Sequence, residues 1–319
     1  GASLAAAGGT VRARPGLLAT ALLAPLLAAQ APPPRPPAPT FGTGIEIINL
    51  TVSVTDPDGR YVTSLGRPDF AVFEDGIRQE LSLYTHEDLP ISLTLMVDAS
   101  ASMDEKMPTA QAAALRFLKT LRPQDRAAVM QFSDRATVLQ DFTADAAVLE
   151  TAVKATRAAG PTALHNALYI ALKELAKQKS ATELRRRAIV LLSDGEDTAS
   201  LVSDDQVIEL ARRSEVSIYC ISLRPNRPTD RERLAFSQAT YLLTTLSKES
   251  GGQVHFPNSL SELDGVYERI AEELRTQYSL GYVSANARRD GKWRRIVVRV
   301  PQRDDLVIRH RVGYYAPRG

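Results

Sequence analysis

The stretch Ile91-Ser-Leu-Thr-Leu-Met-Val-Asp98-Ala-Ser100-Ala-Ser102 decides the fold. An apolar run through Val97 reads as a strand buried inside a sheet, and it ends in one carboxylate and two hydroxyls. Those are hard oxygen donors, suited to Mg²⁺, Mn²⁺ or Ca²⁺ rather than Zn²⁺. The pattern is echoed downstream by Thr162 and by Leu191-Leu-Ser-Asp194-Gly195, where a second apolar run again ends in a carboxylate.

Outward from this stretch, residues 89–274 alternate strand and helix patterns. Residues 109–121 present Ala113, Phe117, Leu118 and Leu121 to one side, and residues 163–177 repeat apolar positions at Leu164, Leu168, Leu172 and Leu175. Apolar strands are expected over 127–132, 188–193 and 216–223, with a closing helix over 263–274. Such alternation implies an α/β fold, a doubly wound and mostly parallel sheet with helices on both faces. Ligands of such sheets bind beyond the carboxyl ends of the strands, where Asp98 and Asp194 both lie.

The flanking segments alternate with period two. Before the α/β unit come Ile45, Ile47, Leu50, Val52 and Val54, the turn Asp56-Pro-Asp-Gly59, and Leu81-Ser-Leu-Tyr84. After it come Tyr278–Val283, Trp293–Val300 and Leu306–Val312. Residues 45–88 and 275–317 are therefore expected to pack together as one small antiparallel β-sandwich from which residues 89–274 are inserted. The alternative is two separate β modules.

The motif set resembles the metal-ion-dependent adhesion site of the von Willebrand factor A family: Asp-x-Ser-x-Ser, then a distant Thr, then a distant Asp. The matching positions here are Asp98, Ser100, Ser102, Thr162 and Asp194. The resemblance implies that the hydroxyls ligate a divalent cation, that the aspartates hold it directly or through water, and that a partner's Asp or Glu fills an open position. Neutral hydroxyls leave the cation under-neutralised, which favours that incoming carboxylate. Where family members often carry a second glycine this chain has Pro161, which stiffens the loop. The layout over about residues 45–316 also resembles a bacterial group with Asp69-Phe-Ala-Val-Phe-Glu-Asp-Gly76 before the metal domain, Glu249-Ser-Gly-Gly252 before its last helix and Gly313-Tyr-Tyr315 after it. That likeness implies a fold and carries no general activity.

Composition fits a folded protein with a sizeable core: 319 residues, 44% hydrophobic and 24% charged, with a net charge of +2. No basic stripe with interleaved aromatics is present, so nucleic acid is not an expected partner. Arg185-Arg-Arg187 reads as a solvated helix end. Arg12 and Arg14 precede an apolar stretch over 16–28 that is short for a bilayer and broken by Pro25, and Ala29-Gln-Ala31 fits a cleavage site. Residues 1–31 thus read as a signal peptide, with an uncleaved anchor as the competing reading, and 32–44 as a Pro-rich linker. The mature chain is expected to lack a membrane span and to be exported to a bacterial periplasm, cell surface or medium. Cys220 is the single cysteine and reads as a small buried hydrophobe.

Three functional classes fit. The first is metal-dependent protein binding, with no catalytic residues. The second is a metal-dependent hydrolase or phosphatase-like enzyme, which needs a Lys or further carboxylates converging on the site; Asp104, Glu105, Glu196 and Asp197 are candidates, and His165 is a conceivable base. Hydroxyl-dominated ligation is poor at assembling a nucleophile, which favours the first class. The third is a structural or assembly protein with a vestigial metal site that binds through a β edge.

Overall fold

The computed structural model describes residues 47–86, 89–178, 184–194, 197–223 and 230–319, with side chains from 238 in the last stretch. All belong to one compact unit, Ile45–Gly319. The expected leader and linker over 1–44, and Gly195 and Glu196, lie outside the described residues.

Strands β1 (Ile47–Thr55), β2 (Ala71–Glu74), β3 (Ile77–Gln79) and β4 (Leu81–Thr85) precede the α/β unit. The turn between β2 and β3 is Asp75-Gly76, both at positive φ (48° and 84°), the two-residue hairpin geometry that Asp-Gly favours. The deciding stretch forms β5 (Ile91–Asp98), with all eight residues buried. Then follow α1 (Met107–Leu118), β6 (Arg126–Phe132), β7 (Ala136–Thr143), α2 (Ala146–Lys154), α3 (Leu164–Lys177), β8 (Arg186–Ser193), α4 (Asp204–Ser214), β9 (Ser217–Ser222), α5 (Asp230–Ser250), β10 (Val254–His255) and α6 (Leu263–Thr276). The last strands are β11 (Tyr278–Val283), β12 (Trp293–Arg299), β13 (Val307–Arg309) and β14 (Gly313–Tyr315).

The central sheet has the order β10-β9-β8-β5-β6-β7, parallel throughout except for β7 at one edge. Because side chains alternate across a strand, β5 supplies both cores. Leu93, Leu95 and Val97 join Phe117 of α1, Val153 of α2 and Tyr267 of α6 on one face. Met96 joins Leu168 of α3, Val207 of α4 and Leu243 of α5 on the other. This is the doubly wound α/β fold expected from the alternation.

The remaining strands form two four-stranded antiparallel sheets, β13-β1-β11-β4 and β14-β12-β2-β3. Leu50 lies opposite Leu280 in the β1–β11 register, and Val298 opposite Val72 in β12–β2. Leu50, Val52, Tyr278, Leu280, Val72, Ile296 and Val298 share one buried cluster, so the two sheets face each other across a common core.

Three local expectations are corrected. The helix expected over 109–121 occupies Met107–Leu118, with Pro108 in its first turn, where a missing N–H costs nothing. The helix expected from Ala163 begins at Leu164, with Ala163 as N-cap and no side-chain capping bond, so Thr162 does not cap it. Arg185-Arg-Arg187 is not a solvated helix end: Arg186 and Arg187 are buried at the start of β8. Arg186 donates to the carbonyls of Leu274 and Gln277 at 3.0 and 2.6 Å, satisfying the open end of α6, and Arg187 pairs with Glu215 at 2.8 Å. Cys220 is buried in β9, where burial pushes its thiol up to about 12. No helix among the described residues is long and apolar enough to cross a membrane.

Candidate metal site

Strands β5 and β8 are adjacent and parallel, with Val97 opposite Leu192, so their carboxyl ends deliver Asp98 and Ser193 side by side. Ser193 Oγ donates to Asp98 Oδ2 at 2.6 Å, and the Ser100 N–H donates to Oδ1 at 2.9 Å. Asp98 is fully buried. Burial pushes its carboxyl up to about 6, the nearby Asp194 carboxylate adds to the rise, and the bonds from Ser193 and Ser100 oppose it.

The chain after Asp98 turns into a 3-10 helix, Ala101–Lys106. Neither serine caps a helix through its side chain. The Ser100 and Ser102 hydroxyls instead lie 3.0 Å apart, Ser100 buried and Ser102 exposed, as two oxygens presented together at the sheet end. Asp104 and Glu105 on this turn are exposed.

Thr162 reaches the same region through backbone stitching. The Ala159 N–H donates to the Ala99 carbonyl at 2.7 Å, the Ala101 N–H to Gly160 at 2.9 Å, and the Ala163 N–H to Ser133 at 2.6 Å. Gly160 carries φ +78°, a conformation that few side chains tolerate, so the turn before Pro161 depends on glycine. The Thr162 carbonyl accepts from the N–H groups of Thr198 and Ala199 at 2.8 and 3.0 Å, and its own N–H donates to Thr198 Oγ1 at 3.0 Å. The loops after β5, before α3 and after β8 are thus one hydrogen-bonded assembly. It brings Asp98, Ser100, Ser102, Thr162 and Asp194 to one end of the sheet.

Two expectations at the rim change. Asp197 is engaged with its own loop, accepting from Ser200 Oγ at 2.7 Å and the His165 N–H at 3.4 Å. His165 Nδ1 sits 3.1 Å from the Val202 carbonyl and 3.4 Å from Asp204, so its ring fastens the loop after β8 to α3. The sequence reading missed Lys106 and Ser193. Lys106 Nζ donates to Asp194 Oδ2 at 2.9 Å, with side-chain exposures of 24% and 10%. The signal was available as a basic residue four positions after Ser102, before the helix. Only the fold shows that it turns back onto Asp194.

The donor set fits a hard divalent cation. Two carboxylates sit close enough to raise one of them, beside two hydroxyls 3.0 Å apart, and a cation would relieve the repulsion between the carboxylates. Among the described residues no three His, Cys, Asp or Glu side chains converge as a metal group, so a cation here would rest on two carboxylates and on hydroxyls.

Residues 93–196 match the family model of the von Willebrand factor type A domain. Over this segment the chain is similar to a von Willebrand factor type A domain. The match begins in β5 and ends just past Asp194, so it covers the strands and loops that build the site. A curated relative, an uncharacterized protein of Synechocystis, is 35% identical over 112 residues, which is 34% of this chain and 26% of the relative. The match thus spans about a quarter of that relative's length. Among solved structures, a von Willebrand factor type A protein from Catenulispora acidiphila aligns with TM-score 0.49 and 16% identity over 74% of this chain and 52% of its own. The corresponding domain of the type V pili tip protein Mfa5 from Porphyromonas gingivalis gives 0.47 and 15% over 58% and 95%. Proximal thread matrix protein 1 from the mussel byssus, described with a zinc-occupied adhesion motif, gives 0.49 and 16% over 63% and 49%.

Proposed function

We propose that the von Willebrand factor A domain of this chain binds a protein partner through a divalent cation, Mg²⁺ with Mn²⁺ or Ca²⁺ as substitutes. Asp98, Ser100, Ser102, Thr162 and Asp194 hold the cation, and an Asp or Glu of the partner completes its shell. The observation that carries this reading is the buried Asp98 carboxyl, raised by burial and by Asp194, at a sheet end where two hydroxyls are presented together. A metal there is under-neutralised by its own ligands and attracts an acidic side chain strongly at short range.

Binding rather than turnover is favoured by how the nearby groups are used. Asp197 and His165 are consumed in fastening the loop, and Lys106 is held by Asp194. The leader-like residues 12–31 support an exported setting. The strand pairing supports treating 45–88 and 275–317 as one β domain carrying 89–274 as an insert.

The test is isothermal titration of the protein with Mg²⁺, Mn²⁺ and Ca²⁺, native against Asp98→Ala. Saturable one-site binding that the substitution removes is the expected result. Heat of binding unchanged by Asp98→Ala places the cation elsewhere and overturns the assignment.

A further inference from the structure

We propose that Lys106 is a tethered cation that competes with the divalent metal for Asp194, so that metal enters only as the ammonium is displaced. This rests on the metal-site reading above and says how that site is regulated.

Lys106 is the described basic side chain in contact with a candidate ligand, at 2.9 Å from Asp194 Oδ2. Both partners are largely withdrawn from water, so the contact is stronger than an exposed surface pair. Lysine suits the role better than arginine would. Its ammonium is a compact point charge with three donors on a flexible four-carbon stem, close in form to a small cation and able to swing away. Lys106 stands at the junction where the 3-10 turn ends and α1 begins, so the two helix ends give its charge no clear preference of their own, and the contact described for the ammonium is the Asp194 carboxylate.

Once a divalent ion occupies Asp194, the lysine loses its partner and is repelled by the metal. The metal-free site is thus closed by an internal charge, and metal affinity is lowered by whatever that pair contributes.

The experiment is titration of chelator-treated protein with Mn²⁺ for the native chain, Lys106→Met, Lys106→Gln and Lys106→Arg, with thermal unfolding of each in chelator and in saturating Mn²⁺. The neutral variants are expected to bind Mn²⁺ tighter by about five-fold or more, while Lys106→Arg stays near the native value. In chelator the neutral variants should melt below the native chain, and saturating Mn²⁺ should close or reverse that gap. Native binding of Mn²⁺ with no gain in either neutral variant overturns the competition and leaves the metal site standing. Binding by none of the proteins overturns both. A gain that survives when Asp98→Ala is added to Lys106→Met puts the metal elsewhere and also overturns the proposal.

Discussion

Replacing Glu273 by alanine should cost about 3 kcal/mol and partly uncouple the sandwich from the α/β unit. Glu273 lies on α6 and is 1% exposed, yet each of its oxygens takes two donors from other parts of the chain. Oε1 accepts from Ser53 of β1 at 2.8 Å and Tyr219 of β9 at 3.0 Å; Oε2 accepts from Tyr61 at 3.0 Å and Arg309 of β13 at 2.7 Å. Burial, reinforced by Glu273, drives the Tyr61 and Tyr219 hydroxyls far above their ordinary range, so both remain donors. Alanine strands these donors and leaves a guanidinium without its carboxylate, which for a buried pair costs about 3–5 kcal/mol. Arg309 keeps 23% side-chain exposure and a contact to the Gly252 carbonyl, which places the loss at the low end. For a unit this size that is a fall of about 6 °C in Tm. Urea unfolding followed by Trp293, the single tryptophan and a sandwich residue, and by far-UV circular dichroism, measures both the loss and any splitting of the two transitions. A double variant, Glu273→Leu with Arg309→Met, should recover part of the stability, because it removes both charges together while Ser53, Tyr61 and Tyr219 still lose their acceptor. A loss below about 1 kcal/mol for Glu273→Ala, or a double variant no better than the single, would refute the reasoning.

Three further outcomes rest on packing and burial elsewhere in the molecule. Gly252→Ala should prevent accumulation of folded protein, since the new Cβ would lie 2.1 Å from the Ile218 carbonyl oxygen of β9; Gly265→Ala in α6, whose Cβ meets only the Arg269 side chain at 3.6 Å, should raise stability by about 0.5 to 1 kcal/mol in the same chemical-denaturation assay. In chelator at pH 7.5, Asp98→Asn should stabilise the chain by about 1 to 3 kcal/mol, because it removes a buried carboxylate raised to about 6, and calorimetry in saturating Mn²⁺ should show that advantage lost. Burial, with Arg269 and Arg309 adding to it, lowers His255 to about 4, so the ring is neutral when folded while the unfolded chain takes up a proton below about 6.5; stability from this residue is complete above that pH and falls toward pH 4, by at most about 1.4 kcal/mol per unit. Urea midpoints from pH 7 to 4 should show a shallower decline for His255→Gln, and parallel curves would count against the assignment.

The sequence by itself determined β5, its two-sided burial and the alternation that dictates a doubly wound sheet, because a strand covered on both faces must be apolar at nearly every position. It also supplied Asp98, Ser100, Ser102, Thr162 and Asp194 as candidates, since their types and order lie in the chain itself. Edge strand β7 and helix α2 were not legible: β7 is half-exposed along its length, so no continuous apolar run marks it. Arg186 and Arg187 were misread because a charged side chain is buried only where distant groups satisfy it, here the carbonyls closing α6 and the carboxylate of Glu215. Lys106 and Asp194, 88 positions apart, belong to the same class, as do the four donors around Glu273. Local periodicity reports how much of a residue is buried. Which charge faces which is a property of the packed layers, and only the tertiary structure decided it.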